Sequence, residues 1–289
     1  MKVLNHWLSL LIDLIKFRLS TFVTLSTATG FILAYQGISL RIFLMLAGVF
    51  LLASGASALN QYQERREDQR MERTKGRPIP SGKLSPSSAL KISLFLIMLG
   101  LFILYAGTNG KALFLGLFAV LLYNGVYTPL KKRTLFAAIP GAMVGAIPPA
   151  IGWSSGGGHL EAQILAVCSF FFIWQIPHSW LLLLDFRKDY QRAGFPSLIH
   201  AWGLNQVEKI SLVWVFATVV SSFLIPLFGI GNSFSILGGL PILGFWLVWK
   251  VSKTLLGRPK ANPFRLAFRT VNFYMLSVMV LFSLDQLLF

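Results

Sequence analysis

Three oxygen-bearing side chains recur at four-residue spacing just beyond a long apolar run. Asn60, Glu64 and Asp68 follow the run 42–59, which is long enough to help cross a bilayer. On a helix that continues through them, this spacing places all three on one face. Carboxylate and amide oxygens suit a hard cation such as Mg²⁺, which typically takes one or two carboxylates together with substrate phosphates. The pattern predicts a metal site with Mg²⁺ as the cofactor.

A cluster of cations follows the three residues. It comprises Arg70, Arg73, Lys75 and Arg77. Arginine binds phosphate oxygens bidentately, and lysine binds them as a point charge. Acidic residues that can bind a metal ion, followed closely by basic residues that can bind phosphate, are typical of a diphosphate-binding site. A solvated loop with local salt bridges, as in a major-facilitator transporter, fits the spacing equally well.

A second charged segment resembles the first. Asp185 and Asp189 stand four residues apart at the end of another apolar run, flanked by Arg187, Lys188 and Arg192. Most of the ten acidic residues of the chain lie in these two segments. A loop that serves only membrane topology needs cations and gains nothing from acids. Two acidic clusters at equivalent helix ends would hold metal ions on either side of one diphosphate.

Composition indicates an integral membrane protein. Of the 289 residues, 55% are hydrophobic and only 12% are charged, against about 25% charged in soluble domains. The net charge of +16 is normal for cationic membrane loops, so we do not expect nucleic acid as a partner. The single cysteine, Cys168, excludes an intramolecular disulfide.

The apolar runs predict an all-α, polytopic protein with one domain over residues 1–289. Nine spans are expected, at Leu19–Gly37, Ser39–Asn60, Ser87–Ala106, Lys111–Leu130, Leu135–Trp153, Ala162–Leu184, Ile210–Phe228, Ser233–Val251 and Leu266–Leu288. Residues 1–16 are interpreted as an amphipathic segment on the cytoplasmic membrane surface. With the N-terminus in the cytoplasm, almost all of the 26 Lys and Arg residues lie on that side, leaving Arg41 and Lys111 outside. The positive-inside rule therefore predicts a cytoplasmic N-terminus and an external C-terminus.

Several strings in this chain resemble the UbiA superfamily of intramembrane prenyltransferases and, within it, the haem farnesyltransferases. They run in order as the NxxxExxxD pattern from Asn60, then MERTKGRP, YTPLKKRT, GAMVGAIPPAIGW and PHSWLLLLDFRKDYQRAGFPSL. The resemblance implies helices around a central cavity open to the cytoplasmic face, in a bacterial inner membrane. It also implies Mg²⁺-dependent farnesyl transfer from farnesyl diphosphate to a vinyl group of haem B, which gives haem O. Haem A synthase and cytochrome oxidase assembly factors are the protein partners that it suggests.

The resemblance assigns roles to residues of this chain. The catalytic residues would be Asn60, Glu64, Asp68 and Asp189, and the metal ligands would be the same four with Asp185. The diphosphate would be bound by Arg70, Arg73, Lys75, Arg77, Lys131, Lys132 and Arg133. Relatives usually carry Asp where this chain has Glu64, so we expect metal binding with shifted geometry. Their second motif commonly ends in a D-Y pair, which favours Asp189 over Asp185.

His178 lies inside the sixth predicted span, and two interpretations apply to it. It is a possible haem contact, since neutral imidazole is a common metal ligand. It would otherwise be a hydrogen-bonded histidine between helices.

Two other functions share parts of this pattern. A related prenyltransferase acting on a quinone precursor such as 4-hydroxybenzoate, or on another tetrapyrrole, would share the diphosphate site and differ in its acceptor pocket. A membrane transporter would use the first charged segment as a gate. Against the transporter, ionisable residues within the spans are scarce and inverted repeats are not evident.

Overall fold

The protein is described here from a computed structural model that covers residues 2–196, 198–257 and 262–288. Within these ranges the regular structure is entirely helical. Met1, the first residue of the predicted N-terminal segment, lies outside them.

Nine helical stretches of the described chain are long and apolar enough to cross a membrane, as predicted. The described helices are α1 Lys2–Leu14, α2 Phe17–Tyr35, α3 Arg41–Gln63, α4 Arg65–Arg70, α5 Pro86–Gly107, α6 Gly110–Val120, a π-helical segment Leu121–Tyr127, α7 Thr128–Leu130, a 3₁₀ turn Leu135–Ala137, α8 Ala138–Ser155, α9 Ala162–Asp185, α10 Arg187–Arg192, α11 Leu198–Trp202, α12 Leu204–Leu227, α13 Phe234–Leu255 and α14 Pro263–Leu288. The fourth span runs from α6 through α7, and the fifth joins the 3₁₀ turn to α8.

Local sequence explains where several spans begin. The Ser85 hydroxyl accepts a hydrogen bond from the Ser88 amide, and Pro86 takes the first position of α5. Asn109 caps α6 in the same way. These side chains satisfy amide groups that have no partner in the first turn of a helix. Proline at the first position loses nothing, because that amide has no helical partner.

The N-terminal helix α1 packs against the bundle and leaves other apolar side chains exposed, while its place on the cytoplasmic membrane surface stays a prediction. Its residues Leu10 and Leu14 are buried, whereas Trp7 and Leu8 are exposed. The Gln61 side chain donates hydrogen bonds to the carbonyl oxygens of residues 13 and 14 and so fastens the end of α1 to α3. An apolar face that is exposed beside a spanning bundle fits a helix lying at the membrane interface.

Helices α2 and α8 approach each other through glycine. A Cβ atom on Gly152 would lie 1.9 Å from the Thr27 carbonyl oxygen, and one on Gly30 would lie 2.0 Å from that of Pro149. Such close backbone contact is typical of helix pairs in membranes, where small residues allow tight packing. This contact sets the position of α8 against the first span.

Six spans surround a central cavity, and the other three lie outside it. The cavity is lined from α2, α3, the fourth span, α8, α9 and α14, whereas the described residues of α5, α12 and α13 do not line it. Large apolar side chains on the outer helices, such as Phe95, Phe102 and Phe245, are exposed. An exposed apolar belt around a buried cavity is the arrangement expected of a bundle in lipid.

Candidate functional site

The central cavity has a volume of about 710 Å³ and two chemically different parts. One end is polar and is lined by Lys16, Asn60, Glu64, Asp68, Arg73, Arg77 and Lys131. Most of the remaining wall is apolar, with residues such as Phe22, Leu52, Val144, Ile151, Phe171 and Leu276. A site of this kind fits an anionic head attached to a long apolar tail.

The three predicted metal ligands all reach the polar end, but the helix that carries them is broken. Helix α3 ends at Gln63, and Glu64 has φ −102° and ψ 10° before α4 begins. The expectation of one uninterrupted helix is therefore wrong. The Glu64 amide still donates to the Asn60 carbonyl at 2.9 Å, and the Asp68 amide donates to the Glu64 carbonyl at 2.8 Å. These two bonds preserve the four-residue spacing across the break, and the three side chains are only 1%, 4% and 3% exposed.

Each buried carboxylate at this end is paired with a cation from another segment. Lys131 Nζ lies 2.7 Å from Glu64 Oε1 and 2.9 Å from Oε2, and only the contact with Oε2 has hydrogen-bond geometry. Arg77 Nη1 donates to both oxygens of Asp68, at 2.9 and 2.7 Å. Removing one partner of such a buried pair would leave an uncompensated charge, which is strongly destabilising.

Electrostatics favour the charged forms of Glu64 and Lys131. Burial by itself would raise the pKa of the Glu64 carboxyl, but Lys131 and Lys16 together hold that pKa below its ordinary value. Burial opposes the charged form of Lys131, but Glu64 outweighs it and raises the Lys131 pKa. The pair is therefore ionised around neutral pH.

Lys16 is a residue of this site that the sequence analysis missed. Its ammonium donates a 2.6 Å hydrogen bond to Asn60 Oδ1, and Asn60 Nδ2 donates to the Thr128 hydroxyl at 3.1 Å. Burial and the nearby Arg77 lower the pKa of Lys16 to about 7. The sequence offered only a lysine next to a span, which is normally a topology signal.

The backbone of Lys16 is also unusual. It adopts a left-handed conformation, with φ 48° and ψ 56°, at the junction of α1 and α2. This conformation is uncommon for a residue other than glycine. It persists only where the surrounding structure holds it, often at functional sites.

The predicted diphosphate-binding cations divide into two groups. Arg73, Arg77 and Lys131 line the cavity. Outside its lining lie Arg70, Lys75 and Arg133, which are exposed, and Lys132, which is partly buried. Lys132 instead pairs with Glu67 at 2.9 Å and donates to the Gln63 carbonyl at 2.9 Å. Only the first group is placed to touch a ligand in the cavity.

The second charged segment packs directly on the first. The Asp189 carboxylate accepts hydrogen bonds from the backbone amides of Glu72 at 3.3 Å and Arg73 at 3.0 Å. Met71 packs with Phe195 in a small apolar cluster beside this contact. The two segments are therefore in contact, and the binding of metal ions by both of them stays a prediction. Asp189 itself lies outside the cavity lining, where it holds the backbone next to Arg73.

Asp185 has a different environment. Its Oδ2 accepts a hydrogen bond from Arg265 Nε at 3.0 Å, and it does not line the cavity. Across the described residues, no three His, Cys, Asp or Glu side chains converge as a ready metal cluster. The role of Asp185 as a metal ligand stays a prediction.

The π-helical segment widens the fourth span at the polar end of the cavity. Tyr123 and Tyr127 both line the cavity, with ring centroids 5.7 Å apart. The Asn124 amide donates to the Ala56 carbonyl at 3.0 Å and to the Gln63 side chain at 3.1 Å. A π-bulge inside an α-helix is frequent at functional sites. Here it carries Tyr127, whose ring centroid lies 5.7 Å from Lys131 Nζ.

The donor set at the polar end fits a divalent cation. Glu64, Asp68 and Asn60 supply oxygen atoms, and Glu64 Oε1 is buried with the Lys131 ammonium 2.7 Å away but without a hydrogen bond of good geometry. Hard cations such as Mg²⁺ take oxygen ligands of this kind.

His178 lines the same cavity from α9, away from the charged residues. Its Nδ1 lies 2.7 Å from Asn272 Oδ1 on α14. It is thus both hydrogen-bonded between helices and open to the cavity, so the two interpretations of this residue are not exclusive.

Comparison with known proteins matches most of the chain to a single protein family. The profile of the UbiA prenyltransferase family matches residues 23–276. The chain is 40% identical, over 221 residues, to the protoheme IX farnesyltransferase of Geobacter sulfurreducens, covering 75% of this chain and 82% of that protein. It is 33% identical to the protoheme IX farnesyltransferase of Oleidesulfovibrio alaskensis, covering 95% of each chain.

Solved structures with the same fold are more distant in sequence. The structure of a UbiA homolog from Archaeoglobus fulgidus bound to GPP and Mg²⁺ has a TM-score of 0.72 and 16% identity, covering 95% of this chain and 99% of that one. A structure described as digeranylgeranylglyceryl phosphate synthase has a TM-score of 0.77 and 17% identity, covering 97% and 98%. At this identity the likeness concerns the fold.

Proposed function

The chain belongs to the UbiA prenyltransferase family, and we propose that it transfers a farnesyl group from farnesyl diphosphate to a vinyl group of protohaem IX. The donor class follows from the family, and the acceptor follows from the names of the relatives in Geobacter sulfurreducens and Oleidesulfovibrio alaskensis. The product of this reaction is haem O.

The observation that carries the proposal is the charge distribution of the cavity. Three cations, Arg73, Arg77 and Lys131, line its polar end against the two carboxylates of Glu64 and Asp68. Lys16, whose pKa of about 7 leaves it partly charged at neutral pH, adds to this positive charge. An excess of positive charge at one end of the cavity, beside an apolar wall, favours an anion with an apolar tail. Farnesyl diphosphate has this chemistry.

The ion pairs Lys131–Glu64 and Arg77–Asp68 can exchange partners when farnesyl diphosphate binds. Glu64 and Asp68 are each held by a cation that a phosphate oxygen also attracts. When diphosphate enters, Lys131 and Arg77 turn toward it, and the two carboxylates become free to bind a cation. Asn60, Glu64 and Asp68 are the residues that would hold Mg²⁺, and the metal would stabilise the charge of the departing diphosphate.

The chemistry begins with cleavage of the carbon–oxygen bond of the donor, whose electron pair leaves with diphosphate. The cations at the polar end stabilise that negative charge. Tyr123 and Tyr127 line the cavity, and their aromatic faces would attract the allylic cation. The apolar wall keeps bulk water from the cation.

Attack by the acceptor completes the transfer. The vinyl π electrons of the haem form the new carbon–carbon bond. One water molecule then adds to the resulting cation and loses a proton, which gives a hydroxyethylfarnesyl side chain. Atoms and charge balance without an oxidant.

The membrane placement is inferred in the same way. The nine spans and the family indicate an integral membrane protein. We infer a bacterial inner membrane, a cytoplasmic N-terminus and a cavity whose charged end faces the cytoplasm, supported by the cation distribution. Association with haem A synthase or cytochrome oxidase assembly factors stays a prediction.

A direct assay tests the proposal. Purified protein is incubated with farnesyl diphosphate, Mg²⁺ and haem B, and the extracted haem is analysed by chromatography and mass spectrometry. We expect a more hydrophobic haem with the mass of the hydroxyethylfarnesyl adduct, absent when Mg²⁺ is chelated. Unchanged haem together with prenylated 4-hydroxybenzoate, supplied in a parallel reaction, would overturn the assignment of the acceptor.

A further inference from the structure

The His178 ring is held from both sides inside the cavity wall. The Trp174 ring lies 4.7 Å from it, centroid to centroid, and the Phe268 ring lies 4.8 Å away, both tilted. Trp174 is itself fixed by a 3.2 Å hydrogen bond from Nε1 to the Val271 carbonyl. The imidazole therefore has a defined orientation before any ligand binds.

The neighbouring hydrogen bonds decide which ring nitrogen carries the proton. Asn272 Nδ2 donates to the Phe268 carbonyl at 2.8 Å, which leaves Asn272 Oδ1 as the atom facing His178. An amide oxygen accepts and does not donate. His178 Nδ1 must then bear the hydrogen, and the lone pair of the neutral ring lies on Nε2.

His178 lines the cavity, and its Nδ1 is already engaged by Asn272, which leaves Nε2 as the ring nitrogen available to a ligand. Among the described residues, no hydrogen-bond partner meets Nε2, although the residue lines the cavity. A histidine whose other nitrogen donates to a fixed acceptor is the usual arrangement of a metal-bound imidazole.

From this geometry we propose that His178 Nε2 is an axial ligand of the iron of the acceptor haem, with Asn272 as the positioning residue that sets its tautomer. The inference rests on the proposed function, because it takes haem as the acceptor. It adds a fixed point for the porphyrin at the apolar part of the cavity.

The location of His178 suits an acceptor site. It lies seven residues before Asp185, the last residue of α9, which corresponds to about 10 Å along a helix. The same cavity continues to the polar end at Lys131 and Arg77. A haem held at His178 would direct its edge toward the charged end, where the allylic cation forms.

Spectroscopy of bound haem B tests the ligation without requiring turnover. The protein in nanodiscs is loaded with haem B, and the ferrous iron–histidine stretch and the ferric optical and electron paramagnetic resonance spectra are recorded. We expect a histidine signature in the wild type that is lost in His178→Ala and restored by added imidazole. His159→Ala is the matched control, since that residue is exposed and outside the cavity lining.

Affinity separates iron ligation from simple packing. We expect His178→Ala to weaken haem B binding by about tenfold or more, which corresponds to 1.4 kcal/mol or more. Metal-free protoporphyrin IX should bind wild type and variant alike. Equal losses for both porphyrins would overturn the ligation and leave His178 as a packing residue.

Two Asn272 variants test the positioning role. Asn272→Asp keeps an acceptor for Nδ1 and adds charge, so the iron–histidine stretch should rise. Asn272→Leu removes the acceptor, so the stretch should fall and haem affinity should decrease about 10–100-fold. Both variants lose the hydrogen bond from Asn272 to the Phe268 carbonyl. If the iron–histidine stretching frequency shifts in the same direction in both, the loss of that bond explains the shift, and the positioning role of Asn272 is overturned.

The outcomes separate this inference from the proposed function. If wild type farnesylates haem but His178→Ala keeps the wild-type spectrum, the ligation is wrong and the function stands. If the wild type neither binds nor farnesylates haem B, the proposed acceptor fails, and the ligation fails with it.

Discussion

Lys16 Nζ donates a 2.6 Å hydrogen bond to Asn60 Oδ1, although 44 positions separate the two residues. The bond ties the start of the first span to the first residue of the acidic face. It also fixes the orientation of the Asn60 amide, whose nitrogen is left to donate to Thr128. A buried cation thus reaches the polar end of the cavity from the N-terminal segment.

Replacing Lys16 with Met should lower kcat/KM for farnesyl diphosphate by about ten- to hundredfold. The variant loses a hydrogen bond, worth about 1.5–3 kcal/mol when the donor is charged, and a side chain that is partly protonated at neutral pH because its pKa is about 7. Steady-state kinetics in detergent or nanodiscs measure the effect. Lys83→Met is the control, because Lys83 is exposed and away from the cavity, and an equal loss in both variants would contradict the assignment.

Replacing Asp68 with Asn should lower kcat by about 10²-fold or more, because the metal that would stabilise the charge of the departing diphosphate loses a carboxylate ligand. The Mg²⁺ concentration needed for half-maximal rate should rise as well, since a carboxylate ligand is lost. Glu67→Gln serves as the comparison, because Glu67 pairs with Lys132 outside the cavity lining. If Asp68→Asn retains full activity, Asp68 is not part of the metal face.

Asp189→Asn distinguishes two roles for the second charged segment. The carboxylate accepts two backbone amides of the first segment, so we expect faster hydrogen exchange at residues 72–77 and a lower kcat. Asp185→Asn, which loosens only the contact with Arg265, should leave that exchange unchanged. A raised Mg²⁺ requirement in Asp189→Asn with normal exchange would show instead that Asp189 is a metal ligand.

Gly152→Ala should destabilise the bundle by about 1–3 kcal/mol, the usual cost of overpacking. The new methyl would lie 1.9 Å from the Thr27 carbonyl, so α2 and α8 must move apart. Thermal unfolding in detergent measures the loss. Gly238→Ala in α13 meets no atom within 4 Å and should be neutral or stabilising, because alanine favours helix.

The long apolar runs were enough to predict the nine spans. In a bilayer each backbone amide needs a partner within its own segment or a closed barrel, so an apolar run of this length folds as a helix. The charged segments after spans two and six were equally evident, because charge at a helix mouth is costly and stands out against the apolar background. The four-residue spacing of Asn60, Glu64 and Asp68 was also predictable, and it persists across the break at Glu64 because two four-residue backbone hydrogen bonds continue through it.

Only the tertiary structure decided which cations reach the cavity. Arg73 and Arg77 line it while Arg70 and Lys75 do not, because the path of an irregular loop depends on what it packs against. The contact between Asp189 and Glu72 spans 117 positions, and that between Lys16 and Asn60 spans 44. Local spacing carries no information about such pairs, since they form only when the bundle closes and brings separate helix ends together.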